Sequence, residues 1–64
     1  MNPKVLIHVV GGIAYWTADS DVDVLLVDED NIRAGDSPVP ITQDWSNLAN
    51  LALGEAGSRL CKLG

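Results

Sequence analysis

Three β-type runs crowd the first half of the chain: Lys4–Val10, Ile13–Ala18 and Val22–Asp28. Only Gly11-Gly12 separates the first two, and only Asp19-Ser20-Asp21 separates the second from the third. Two glycines between such runs fit a two-residue type I′ turn, which needs positive φ at both positions. Asp and Ser supply turn chemistry at the second junction. Links this short favour an antiparallel meander. The expected fold is therefore α+β, built on a three-stranded antiparallel sheet over residues 4–10, 13–18 and 22–28. A parallel pairing of the first and third runs stays open as an alternative.

A hairpin closed at Gly11-Gly12 sets Val10 against Ile13, His8 against Tyr15 and Ile7 against Trp16. Alternation along each strand then sorts the side chains. Val5, Ile7, Val9, Ala14, Trp16 and Ala18, joined by Val22, Val24 and Leu26, form a wholly apolar face, the expected core. Leu6, His8, Val10, Ile13, Tyr15 and Thr17, joined by Asp23, Leu25 and Val27, form a mixed and wetter face. Met1–Pro3 is expected to be a loose start. Residues 28–41 read as a long connection punctuated by Gly35, Pro38 and Pro40, residues that do not suit the interior of regular elements. Thr42 or Asp44 can cap a helix, and Trp45, Leu48, Ala49, Ala52, Ala56, Leu60 and Leu63 follow at roughly helical spacing. One C-terminal helix over residues 43–61 is expected on one face of the sheet, bent or broken where Gly54 and Gly57 weaken it. Its apolar stripe should pack on Val5, Ile7, Trp16, Val24 and Leu26.

Sixty-four residues make a single small domain, residues 1–64. A chain this short buries only about 60% of the surface its unfolded form exposes, so its stability is modest. Its apolar runs fall far below the ~20 residues that span a bilayer, and no cationic start leads into an apolar signal segment. The single cysteine, Cys61, has no internal partner, so a reducing cytoplasm is the expected compartment. A net charge of −5 argues against direct binding to nucleic acid or to anionic membranes. It favours basic partners, and basic protein surfaces are commonly those that hold DNA or RNA.

Few residues suggest catalysis. His8 is the only histidine, with no Ser or Cys nucleophile at a recognisable spacing, and reads as a half-exposed strand residue beside Tyr15. Cys61 reads as a small apolar packing residue on the helix. Gly11-Gly12 lacks the rest of a phosphate loop. Asp19-x-Asp21-x-Asp23 begins like a calcium loop, but Val24 stands where the loop needs Gly and Asp30 where it needs Glu. Asp28-Glu29-Asp30-Asn31 could hold a hard cation weakly, and reads as easily as a solvated turn. No catalytic residue, metal ligand or cofactor is assigned, and an enzyme is the least favoured class.

The acids as a set carry more weight. Asp19, Asp21, Asp23, Asp28, Glu29 and Asp30 fall in one stretch, Ala18–Ile32, that holds no Lys or Arg. Like charges in a small domain repel. They form either a solvated rim or a binding surface. Alternate residues of an extended strand lie about 6.7 Å apart, near the spacing of neighbouring phosphates. Carboxylates so spaced could occupy the Lys and Arg sites of a nucleic-acid groove. Asp19, Asp21 and Asp23 would make such a track if their turn is extended, and Asp28, Glu29, Asp30 and Asp36 could lengthen it.

The combination VLIHVVGGIA followed by DSDVDVLLVDEDNIRAGD resembles small acidic proteins of phages and mobile elements, over residues 4–36. Asp28, Asp30, Asn31, Gly35 and Asp36 carry the resemblance most clearly. The size, acidity and ββ(β)α outline also resemble anti-CRISPR proteins directed at type I effector complexes. That resemblance implies a non-enzymatic DNA mimic that occupies the basic groove of a type I CRISPR effector (Cascade) subunit and blocks target DNA. A monomer is expected. Two other classes stand beside it: an assembly module self-associating through the mixed sheet face, and a weak calcium-binding module.

Overall fold

In the computed structural model, which describes residues 2–64, the first and third β-type runs are neighbours and run parallel. Strand β1 (Lys4–Val9) pairs with β2 (Asp23–Asp28) in a register that sets Leu6 beside Leu25 and His8 beside Val27. The antiparallel meander is not formed, and residues 13–18 belong to no strand. Thirteen residues, Val10–Val22, make the link between the paired strands. Parallel neighbours need a connection of about that length, where a hairpin needs two residues. The α+β class holds, but the sheet is two separate two-stranded parallel pairs.

The faces are reversed as well. Val27 is fully buried and Leu6 and Leu25 pack beside it, all on the side expected to be wet. Val5 and Leu26, expected in the core, are exposed. Because side chains alternate, a sheet that turns its other face to the helices exchanges the two sets, although Val9 of the expected core face stays buried. The face with Leu25 and Val27 meets the C-terminal helices, and Val9 is buried on the other.

Beyond β2 the chain enters a one-turn helix, α1 (Glu29–Arg33), and then β3 (Val39–Ile41). Pro40 lies inside β3, contrary to its reading as loop. In a two-stranded sheet every strand is an edge, and an edge tolerates a residue with no N–H. The expected single helix over 43–61 is divided into four pieces. A 3₁₀ turn (Gln43–Trp45) leads into α2 (Ser46–Leu53), a second 3₁₀ turn (Gly54–Ala56) and the short α3 (Gly57–Leu60). Thr42 occupies the first cap position without bonding a backbone N–H. The break falls at Gly54, which has φ +59°, a conformation that costs a residue with a side chain far more. Gly57 is buried where α3 meets α2, and a Cβ there would make ordinary contact, 3.6 Å from the Ala49 carbonyl oxygen.

The chain then forms β4 (Cys61–Leu63), parallel to β3, so Cys61 is a buried strand residue and not a helical one. Val27, Ile41, Ala49, Leu53, Leu60 and Cys61 make one core that joins both sheets to the helices. Lys4 ties the first 3₁₀ turn to β1: its Nζ lies 3.3 Å from Asp44 Oδ2 and 5.9 Å from the centre of the Trp45 ring. The expected loose start falls partly on Met1, outside the described residues. Pro3 is held, since its carbonyl accepts the Asp23 N–H at 2.9 Å.

Candidate functional site

Parallel neighbours bring their carboxyl ends to the same edge, and in open α/β sheets that edge is where ligands gather. Here β1 ends beside Gly11-Gly12, and β2 ends in Asp28-Glu29-Asp30. Three consecutive acids thus meet two glycines and His8, and each acid does something different.

Asp28 caps α1. Its Oδ1 accepts the Asn31 backbone N–H at 3.2 Å, and its Oδ2 accepts the Asn31 side-chain amide at 3.2 Å. Such a cap is worth about 1 kcal/mol. Glu29 turns inward and is only 6% exposed. His8 Nε2 donates to its Oε1 at 2.8 Å, and Arg33 Nη2 donates to its Oε2 at 2.9 Å. His8 therefore faces Glu29, while Tyr15, its expected neighbour, is 92% exposed. Asp30 reaches back across the sheet end. Its carboxylate accepts the Gly11 N–H at 2.8 and 3.0 Å and the Gly12 N–H at 3.2 Å.

The last contact explains why no hairpin forms. Gly11 has the positive φ a tight turn needs, at 72°, but Gly12 does not. The Asp30 carboxylate takes both N–H groups, and the turn wraps an anion instead of closing on a second strand. The end of α1 is equally defined. The Gly35 N–H bonds the Ile32 carbonyl and the Asp36 N–H bonds the Asn31 carbonyl, each at 3.1 Å, with Gly35 at φ +123°. These are the two bonds of a Schellman closure, with Gly35 in its usual place. All five residues that carry the VDEDN…GD resemblance therefore have structural work: Asp28 caps, Asp30 clasps, Asn31 closes both helix ends, and Gly35 and Asp36 terminate it.

The polar groups of this edge are paired with one another. Both Glu29 oxygens are occupied, and His8 has no hydroxyl or thiol partner among the described residues. Also among the described residues, no group of three or more His, Cys, Asp and Glu side chains is placed to hold a metal ion. A separate small groove of about 200 Å³ lies between α2, α3 and the second sheet, lined by Ile41, Ala49, Asn50, Cys61 and Leu63 with Ser46 and Ser58. Burial pushes the Cys61 thiol up, keeping it a neutral packing group. The two serines donate to the Gln43 and Glu55 carbonyls of their own turns.

The remaining acids lie elsewhere. Asp19, Asp21 and Asp23 are exposed at the start of β2, at the opposite end of the strand from Asp28, about 17 Å away by strand rise. They do not form one track with Asp28–Asp30. Nor is their own spacing that of an extended strand: the Val22 N–H bonds the Asp19 carbonyl at 3.2 Å, folding the segment into a turn. None of the three meets a cation among the described residues. Lys4, beside Asp23 in the register, turns instead to Asp44. Asp36 is exposed just after α1. The Glu29 triad and the Asp30 clasp were missed from the sequence. The signal that could have found them is an acid run directly after one strand and paired glycines directly after another, which a parallel pairing brings together.

Compared with known proteins, the chain matches no protein-family model, no curated protein and no solved structure. Among the described residues, no helix is long and apolar enough to cross a membrane.

Proposed function

We propose that the protein is a non-enzymatic inhibitor that binds a basic, DNA-handling protein surface through Asp19, Asp21 and Asp23, with Asp36 as an outlying contact. The observation that carries this reading is the exposed turn Asp19–Asp23, whose carboxylates form no ion pair among the described residues, Lys4 beside Asp23 being turned to Asp44. Carboxylates left unneutralised on a small acidic domain repel one another, and a partner that supplies Lys and Arg relieves that repulsion. Asp28, Glu29 and Asp30 leave the proposed contact set, because their oxygens are engaged within the fold. The resemblance to anti-CRISPR proteins names the partner class, the DNA-binding surface of a type I CRISPR effector in a bacterial cytoplasm. The compact turn supports a dense anionic knot rather than a copy of the phosphate ladder.

The test is target-DNA binding by a purified type I effector, with the protein added at low and at raised salt. The parent should inhibit, and inhibition should weaken as salt is added. A variant carrying Asp19→Asn, Asp21→Asn and Asp23→Asn should lose most of the effect with its fold unchanged. A variant that inhibits as well as the parent would sink the assignment. The alternative, an assembly module built on the mixed face, keeps only part of that surface: Leu6, Leu25 and Val27 lie in or against the core, while Val10, Ile13 and Tyr15 are exposed.

A further inference from the structure

The most conspicuous unexplained feature is the middle of the long connection. Residues 13–18 form no helix, strand, turn or bend, and their backbone groups make no hydrogen bond to other described residues. The sequence there, IAYWTA, is rich in β-branched and aromatic residues, the types that suit a strand. Ile13 is 81% exposed, Tyr15 92% and Trp16 48%. Natural edges of this kind are blunted with charge or proline, and the strip contains neither.

We propose that residues 13–18 pair antiparallel with the same residues of a second copy of the chain. Three considerations select that occupant. A twofold pairing centred between Tyr15 and Trp16 sets Tyr15 of each copy directly opposite Trp16 of the other, and Ile13 opposite Ala18. Aromatic pairs of this kind are among the favourable cross-strand neighbours. The same register places the acidic turns of the two copies, which follow Ala18, at opposite ends of the pairing, whereas a parallel pairing would set the two turns side by side. The strip itself is uncharged, so the attraction that would select a basic partner lies outside it, at Asp19–Asp23. Tyr15, almost wholly exposed, offers about 150–250 Å², and the half-exposed Trp16 about half as much. With Ile13 and Val10 the two copies bury less than about 1,200 Å² in total, the range of weak and transient contacts. The result is a weak dimer, in place of the expected monomer, and it does not depend on the inhibitor reading.

The charge of −5 on each copy gives the dimer a signature. Added salt screens the repulsion between copies, so it should strengthen this association, where it weakens one with a basic partner. Sedimentation velocity on the intact chain, from about 1 µM to about 1 mM, reads the equilibrium directly. The expected result is a monomer at the dilute end, a dimer at the concentrated end, and a midpoint that falls several-fold when salt is raised. Tyr15→Asp should remain monomeric throughout, with an unchanged circular dichroism spectrum because the side chain is almost wholly exposed. A parent monomeric at every concentration in high salt overturns the proposal. So does a dimer that salt dissociates, or one that Tyr15→Asp leaves intact.

Discussion

The two acidic regions of this chain differ in what surrounds each carboxylate. At the end of β2, Asp28, Glu29 and Asp30 are spent on a helix cap, on a buried carboxylate bonded to His8 and Arg33, and on a backbone clasp. At its beginning, Asp19, Asp21 and Asp23 stand in solvent and form no ion pair among the described residues. Sequence proximity makes the six look like one feature. The parallel strand pair separates them, and the difference teaches that an acid count is not an acid surface until each oxygen's partner is known. Changes in the first region should damage the fold, and changes in the second should leave it alone.

The largest effect should come from stranding Glu29. It is buried, while the Arg33 side chain is 64% exposed, so the partners tolerate losing the acid better than the acid tolerates losing them. Replacing His8 and Arg33 together with Leu leaves a buried carboxylate unpaired, which costs about 3–5 kcal/mol. Stability of about 0.05–0.15 kcal/mol per residue means that most of this domain's total would go. Adding Glu29→Leu to that double variant removes the stranded charge and should restore a good part of it. Urea titrations of the three proteins decide the matter. A triple variant no more stable than the double would show that the triad is not what holds α1 to β1.

Asp30 comes next. Asp30→Ala frees the Gly11 and Gly12 N–H groups of their charged acceptor, and should cost about 1.5 kcal/mol. Amide exchange at Gly11 and Gly12 should accelerate first. Asp21→Ala is the matched control, and should change stability by no more than about 0.5 kcal/mol. If the two substitutions cost the same, the contrast between the two ends of β2 disappears.

These contrasts also mark how far the sequence could be read. Its α+β character followed from the β-type runs and the later helical spacing, and the weak point at Gly54 followed from glycine's own preferences. Strand pairing did not follow. IAYWTA has every local property of a strand, and what removes it from the sheet is a contact eighteen and nineteen residues away, between Asp30 and the two glycines. The core face was lost with it. Val5, Ile7, Val24 and Leu26 are as apolar as Leu6, Leu25 and Val27, so alternation alone could not say which set faces the helices. Of the candidate site, the exposed acids Asp19, Asp21 and Asp23 were legible. The inward turn of Glu29 was not, because a charged residue beside two others reads as solvated until a histidine and an arginine are placed at its oxygens.

Asp44 lies between the two classes and should give the smallest effect. It is exposed, like Asp21, but it is partnered, like Asp30. The Thr42 hydroxyl bonded to its carboxylate is the main cause that holds its pKa below the ordinary value; desolvation opposes it next, and Lys4 adds a smaller lowering. A depressed carboxylate stabilises the fold above its unfolded pKa, and the contribution disappears as the pH falls through the folded one. The parent should therefore be slightly more stable than Asp44→Asn near neutral pH. The gap should close on the acid side of about pH 4. Melting temperatures of both proteins across that range read the gap directly. A difference that persists undiminished in strong acid would mean that Asp44 acts through packing alone, and that exposure, rather than partnership, decides what a carboxylate contributes to this fold.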